Sequence, residues 1–337
     1  MIIIIKNLHI KHFKSIDDIN IECSKINVFI GEPNTGKTNI LESIGFLSWL
    51  GFGNTTQTVL YDYIRYKYLY NLFYNNDVTK PFEIDYGDTI QVFFKDGMLN
   101  IKDNNGIDFS TNLNGGLIFN PGEPIQKFFE NLQQFKFYKF KEFNNYTFTS
   151  KHAIITSYLL PPSGGNMITL LHTNKDIRSF FSSYVKKINL KLVIDPFDNQ
   201  IEFQKELSDE SIIKFPLETM SDTILRILSY MIAIISNENS IMIFDEPEAY
   251  AFPYYTKTLA EMISLDKTNQ FFLTTHNPYM INPIIEKAQK KDLSIFVTYM
   301  DKDITKVKKM EESDIARIFN EKGGEGMDIF LNLDKFI

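Results

Sequence analysis

The chain holds one cysteine, Cys23, among 337 residues, which excludes an internal disulfide and points to a reducing, cytoplasmic compartment. Long apolar runs are missing too. Residues 227–235, the most apolar later stretch, fall far short of the ~20 residues that span a bilayer, so no transmembrane helix is expected and a membrane role would need a partner. The opening apolar run, residues 1–5, lacks the basic segment, longer apolar core and cleavage site of a secretory leader. Positive charge is in deficit. With 35 Lys and Arg against 42 Asp and Glu, the net charge of −7 argues against coating nucleic acid by bulk attraction, while leaving room for a local basic patch. No internal repeat occurs, and the middle of the chain, residues 51–215, shows no sustained heptads, so it is not a long coiled-coil arm. What is present is enough apolar material, 44% of residues, for a large core in one elaborate domain or two closely joined lobes.

Residues 2–10 and 25–30 read as strands, the second running into a glycine-rich turn and a helical segment over residues 36–50. Past Gly51 the texture changes. A Tyr-rich helical stretch over 60–74 precedes short alternating segments at 83–86, 89–94 and 99–101, separated by Asp-Gly and Asn-Gly turn signals that predict an antiparallel sheet. There follow a strand over 135–143, a loop at 161–166, a helix over 175–187, and a hairpin of 189–194 with 200–204 turning at 196–199. Apolar strands at 240–244, 270–274 and 293–299 then alternate with helices at 222–236 and from Pro253. That alternation predicts a mostly parallel sheet covered by helices on both faces. The expected organisation is an α/β core built from residues 1–50 and 216–337, with residues 51–215 inserted as a β-rich and helical lobe.

Gly31-Glu32-Pro33-Asn34-Thr35-Gly36-Lys37-Thr38 fits the Walker A pattern of Gly, four residues, Gly, Lys and Ser or Thr, between the required strand and helix. The glycines let backbone N–H groups face the β-phosphate of ATP, Lys37 reaches the β and γ oxygens, and the Thr38 hydroxyl ligates Mg²⁺. The apolar run Ile241-Met242-Ile243-Phe244 ends on Asp245 and Glu246, at the sheet edge where the P-loop also lies. Asp245 is the expected second metal residue, and Glu246 the expected catalytic base for the attacking water. Read alone, the same pair is a helix N-cap followed by first-turn acid. The next apolar strand delivers His276 to the same edge, in reach of the γ-phosphate and the catalytic water.

Together these motifs resemble the ABC-type ATPases of the RecF, SMC and OLD group, and more closely their small prokaryotic AAA-type, OLD-like relatives. The resemblance extends over most of the chain. Phe13-Lys14-Ser15 looks like the end of the family's first strand, and Asn39-Ile40-Leu41-Glu42-Ser43-Ile44 continues its P-loop helix, placing Asn39 with the nucleotide-binding residues. Asp245-Glu246-Pro247-Glu248 matches its Walker B box, and Thr274-Thr275-His276-Asn277-Pro278 its histidine switch. Leu159-Leu160-Pro161-Pro162-Ser163-Gly164-Gly165-Asn166 is similar to a Gly-Asn stretch of these relatives, and also to a plain Pro-Gly loop. The resemblance implies a signature serine, Ser221, which contacts ATP held by a second subunit. In Met220-Ser221-Asp222-Thr223, however, Thr223 stands where glycine is usual, and a Ser-capped helix fits the segment equally. For the family's glutamine loop, Gln57 is the one candidate.

Lys136, Lys139 and Lys141 interleave with Phe135, Phe137 and Phe140, a pattern of nucleic-acid stacking or of an amphipathic strand. Asp301-Lys302-Asp303 has the paired acids of the Toprim nucleases fused to OLD proteins without their upstream Glu-Gly segment, so a turn is expected there and no nuclease domain. The leading expectation is Mg-ATP binding and hydrolysis driving a switch that joins two copies of the chain, in DNA maintenance or defence against foreign DNA. DNA and a separate effector protein are its candidate partners. Two alternatives stand beside it. One is the ATP-binding subunit of a membrane transporter, whose Leu-Ser-Gly-Gly-Gln signature residues 220–223 do not supply. The other is a clamp that holds ATP and hydrolyses it slowly.

Overall fold

A computed structural model describes residues 4–56, 58–87, 89–113, 123–140, 157–195, 200–315, 330 and 333–336. In chain order its strands and helices are β1 (Asn7–Phe13), β2 (Ile16–Glu22), β3 (Ile26–Gly31), α1 (Lys37–Thr56), β4 (Glu83–Tyr86), β5 (Ile90–Lys95), β6 (Met98–Asp103), β7 (Asp108–Thr111), α2 (Glu123–Leu132), β8 (Phe135–Tyr138), α3 (Met167–Thr173) and α4 (Lys175–Lys187). There follow β9 (Lys191–Asp195), β10 (Gln200–Glu206), β11 (Ile212–Pro216), α5 (Asp222–Ile235), β12 (Ile241–Asp245), α6 (Pro253–Leu265), β13 (Gln270–Thr274), α7 (Pro278–Lys287), β14 (Leu293–Asp301) and β15 (Ile304–Lys309).

Three sheets result. The central one runs β15-β14-β3-β13-β12-β8, parallel throughout except for the antiparallel edge strand β15. An antiparallel sheet runs β2-β1-β4-β5-β6-β7, and a smaller one β11-β10-β9. Alternation along the central strands sorts the core into two clusters. Val28, Ile30, Met242, Phe244, Phe271 and Leu273 pack with helices α3 to α7, while Phe29, Phe135, Phe137, Ile243, Phe272 and Phe296 face α1. Helix α1 has no single apolar stripe because it is buried around most of its circumference: Ile40, Leu41, Ile44, Leu47 and Trp49 are enclosed between the central and antiparallel sheets, with Glu42, Ser43 and Ser48 buried among them. None of the described helices is long and apolar enough to cross a membrane.

The expected α/β architecture is present, with four local corrections. The first strand spans Asn7–Phe13, running past the expected end at residue 10, and joins the antiparallel sheet. Its period-2 pattern specifies a half-buried strand without naming the sheet it enters. Residues 60–74 form short 3-10 turns instead of a helix, since Asp62 and Asn71 accept bonds from Val59, Lys67 and Tyr68 backbone N–H groups and so compete with a helical ladder. Strand β8 ends at Tyr138 and pairs in parallel with β12. Residues 51–215 thereby contribute the edge of the central sheet, and part of them, including Phe52, Phe82 and Phe135, shares an apolar cluster with the N-terminal strands, while Leu159, Met167 and Phe203 join the other cluster. Finally, β2, β7, α2, α3, β11 and α7 are elements for which the sequence pattern gives no expectation. The expected turn at 196–199 lies outside the described residues. The turn at Asp301-Lys302-Asp303 closes the β14–β15 hairpin, with positive φ at Lys302 and Asp303.

Candidate functional site: a P-loop cleft at the carboxyl edge of the central sheet

Strand β3 ends on Gly31 and α1 begins at Lys37, so the P-loop spans the gap between a buried parallel strand and a helix N-terminus. Both glycines are demanded by close approach. A Cβ at Gly31 would lie 2.3 Å from the Thr298 carbonyl, and one at Gly36, where φ is +95°, 2.3 Å from Thr305 Oγ1. Thr35 is locked by its hydroxyl on the Glu32 carbonyl at 2.9 Å and on Thr298 Oγ1 at 2.8 Å. Lys37 folds back over the loop and donates to the carbonyls of Gly31 at 2.8 Å and Glu32 at 2.7 Å. Burial pushes its pKa down against the opposing pull of Glu246, Asp245 and Glu32. Glu32, Pro33 and Asn34 form the exposed rim, and Asn39 Nδ2 donates to Ser15 Oγ at 2.8 Å.

Register brings the acidic strand to this loop. Asp245 on β12 sits opposite Thr274 on β13. The Thr274 hydroxyl donates to Asp245 Oδ1 at 2.7 Å and accepts the Glu246 N–H at 2.9 Å, so one threonine orients both acidic residues. From the P-loop side the Thr38 hydroxyl donates to the same Asp245 oxygen at 3.0 Å. Burial raises the Asp245 pKa, opposed by these two hydroxyls. Glu246 takes a positive φ of 45° as the chain leaves the strand, and its Oε1 lies 3.3 Å from His276 Nδ1. Residues 33–39, Ser15, Arg65 and Glu246 line a cleft of about 330 Å³. Its donor set suits Mg²⁺: one carboxylate and one hydroxyl converge, as expected of an ion that keeps waters and shares phosphate oxygens. No group of three His, Cys, Asp or Glu able to cage a metal occurs among the described residues.

Ser221 is exposed at the N-terminus of α5 and is not part of the cleft. The neighbouring Thr223 hydroxyl donates to the Tyr250 carbonyl at 3.0 Å, tying α5 to the segment after the acidic pair. Gln57 and Lys141 lie outside the described residues. Within β8 the basic-aromatic residues Phe135, Lys136 and Phe137 form neither a stacking surface nor an amphipathic strand, because the strand is buried on both faces. Lys136 donates to Asn237 Oδ1 and lies 3.6 Å from the Tyr158 ring centroid, and burial brings its pKa down to about 7. Lys139 pairs with Glu42 at 3.3 Å.

Sequence reasoning gave no role to four residues, of which Thr274 and Glu248 stand inside motifs it quoted and Thr298 and Arg65 in none. Thr274, the last residue of β13, and Thr298, within β14, organise the site, and the signals for Thr274 are the histidine-switch motif and the paired threonines that close an apolar strand. Arg65 reaches the cleft from the 3-10 segment, where nothing in its neighbourhood marks it. Glu248 is 2% exposed, with one oxygen on the Thr275 hydroxyl and the other, Oε2, without a hydrogen-bond partner among the described residues. Elsewhere, an open depression of about 830 Å³ on the solvated face of the antiparallel sheet is lined in part by His9, Asp18 and Asp85. It contains none of the residues expected to bind nucleotide.

The fold is similar to a solved SMC head bound to the C-winged helix domain of ScpA, at a TM-score of 0.56 and 15% identity over 92% of this chain and 99% of that one. It is also similar to the Smc head domain from Pyrococcus furiosus, with an extended coiled coil and bound to the C-terminal domain of ScpA, at 0.53 and 14% over 94% and 98%. No curated protein matches the sequence. The family described as "AAA domain, putative AbiEii toxin, Type IV TA system" matches residues 26–282, well over half of the chain. The protein therefore belongs to that AAA family and carries an α/β P-loop ATPase fold of the kind seen in SMC heads.

Proposed function

We propose that this protein binds Mg-ATP in the P-loop cleft, hydrolyses it, and uses the cycle to bring together and then separate a pair of its own copies. The observation that carries this reading is the meeting of three strand ends at one cleft, with Lys37 and Thr38 after β3, Asp245 and Glu246 after β12, and His276 after β13. Gly31, Glu32, Pro33, Asn34, Thr35, Gly36 and Asn39 shape the phosphate cradle, with Lys37 as its cation. Thr38 and Asp245 would hold Mg²⁺, which neutralises phosphate charge when bound. Glu246 polarises the attacking water as general base, and His276, in contact with it, steadies its carboxylate.

In this reading residues 1–50 and 216–337 form the ATPase core and 51–215 its elaboration, in a cytoplasmic protein. Membership of a family described as a putative toxin of a toxin–antitoxin system favours defence against foreign DNA over transport. The likeness to heads solved with ScpA domains favours a separate protein partner. Phosphate release by the purified chain with Mg-ATP tests the reading. Release that stops in Glu246→Gln supports it, and a wild-type chain that binds no nucleotide overturns it.

A further inference from the structure

We propose that Lys14 and Glu42 are positioning residues that hold Arg65 as an anion-contacting arm over the nucleotide cleft. The proposal rests on the reading of that cleft as an ATP site. Lys14 and Glu42 come from the two motif segments, Phe13-Lys14-Ser15 and Asn39-Ile40-Leu41-Glu42, and the hydrolytic scheme assigns neither residue a task.

Arg65 is gripped at three atoms. Its backbone N–H donates to Glu42 Oε1 at 3.0 Å, its Nε to the same oxygen at 3.1 Å, and its carbonyl accepts from Lys14 Nζ at 2.6 Å. Lys14 Nζ in turn donates to the other Glu42 oxygen. The gripping carboxylate is 0% exposed, whereas the arginine side chain is 65% exposed and lines the cleft. With Nε engaged, the two terminal guanidinium nitrogens have no protein partner among the described residues and form a fork suited to a phosphate.

The energetics favour this assignment over a plain structural ion pair. Residues 60–76 have no extended helix of their own, so nothing in local backbone structure fixes an arginine there. A free surface arginine would lose side-chain freedom on meeting an anion. The grip makes that loss a component of folding. A buried carboxylate is tolerated only when matched, and Glu42 is overmatched by Lys14, Arg65 and Lys139. Those cations outweigh burial and keep its pKa below the ordinary value. The local surplus of positive charge lies beside the P-loop, on the side where Arg65 is exposed. The same turn that carries Lys14 also places Ser15 against Thr305 Oγ1 at 2.7 Å and against Asn39, so the grip and the P-loop share one support.

The test is a double-mutant cycle on the full chain, reading Mg-ADP and ATP-analogue affinity by calorimetry, kcat by phosphate release, and thermal melting. Arg65→Ala should melt like wild type, since its side chain is largely exposed, while kcat or analogue affinity falls roughly tenfold or more. Glu42→Gln should give a similar functional loss that disappears in the Arg65→Ala background. Additive losses, or full activity in Glu42→Gln, overturn the proposal. If Glu42→Gln does not fold, Arg65→Lys decides: the charge is kept but the Nε grip is gone, so a defect like that of alanine supports positioning and wild-type activity overturns it. A wild-type chain that fails to bind either nucleotide removes the ATP reading itself. Normal binding and turnover in Arg65→Ala removes only this inference.

Discussion

The Thr38 hydroxyl donates to Asp245 Oδ1 at 3.0 Å, across 207 residues of chain. That bond joins the start of α1 to the end of β12, and Thr274, on the same carboxylate oxygen, extends it to β13. Three segments far apart in sequence are thus held to a common geometry by two hydroxyls before any ligand is considered. Such preorganisation is what phosphoryl transfer asks of a protein, because the chemistry depends on positioning and charge more than on covalent steps.

Lys37→Ala should lower ATP affinity by at least about 100-fold, since it removes the side-chain cation that the P-loop supplies to the β and γ phosphates. Lys37 already gathers the Gly31 and Glu32 carbonyls, so the variant also loosens the loop. Calorimetry with Mg²⁺ present checks this. Equal affinity in mutant and wild type would move the phosphate site elsewhere.

Glu246→Gln should keep ATP binding and lower turnover by at least about 100-fold, because the amide keeps the shape but cannot take the water's proton. His276 lies 3.3 Å from the carboxylate, so it is the residue to replace next if turnover is unchanged. Single-turnover measurement separates the loss from any change in product release.

Glu248 predicts a pH effect on stability. Burial pushes its carboxyl up from 4.5 to about 7, so between those values the folded chain binds more protons than the unfolded one, and stability falls as pH rises through that window. The cost, on the order of 2–4 kcal/mol, is fully present above pH ~7 and absent below pH ~4.5. Glu248→Gln removes the charge and keeps an acceptor for the Thr275 hydroxyl. Its melting temperature should rise relative to wild type as pH goes from about 5 to about 8, and a constant difference across that range would contradict the shift.

The P-loop and the acid-tipped strand were legible because each position answers to a local demand: room for backbone at Gly31 and Gly36, uniform apolarity for a strand buried on both faces at Ile241 to Phe244. What stayed hidden depended on distant partners. The alternation of Leu8 and Ile10 is the same whichever sheet β1 joins. Residues 60–74 carry helical spacing, yet Glu42, Asp62 and Asn71 take up backbone N–H groups that a helix would use. Lys136 and Lys139 look like surface cations until β8 is seen beside β12, where Asn237 and Glu42 receive them. Arg65 had no pattern at all, for its partners lie on α1 and at the β1–β2 turn.

Assembly is the last prediction. Ser221 stands exposed at the N-terminus of α5 without a side-chain cap bond, so its hydroxyl is available to nucleotide bound by a second copy. If it makes that contact, Glu246→Gln should accumulate a dimer only with Mg-ATP, because the nucleotide then belongs to a symmetric interface that hydrolysis normally dissolves. Ser221→Arg, which fills the approach with a long charged side chain, should abolish it. Thr223 limits the approach less than its bulk suggests, because its hydroxyl is turned to the Tyr250 carbonyl at 3.0 Å. Tyr250, whose carbonyl takes that bond, is 90% exposed, so burying it would add to the dimer's stability. Light scattering coupled to gel filtration, with and without Mg-ATP, decides among the outcomes. A Glu246→Gln protein that stays monomeric under saturating ATP removes the two-copy switch and favours a slow ATP-holding clamp. One that is dimeric without nucleotide and indifferent to Ser221→Arg uses a different surface, with the exposed tyrosines Tyr61, Tyr68 and Tyr70 the next to substitute.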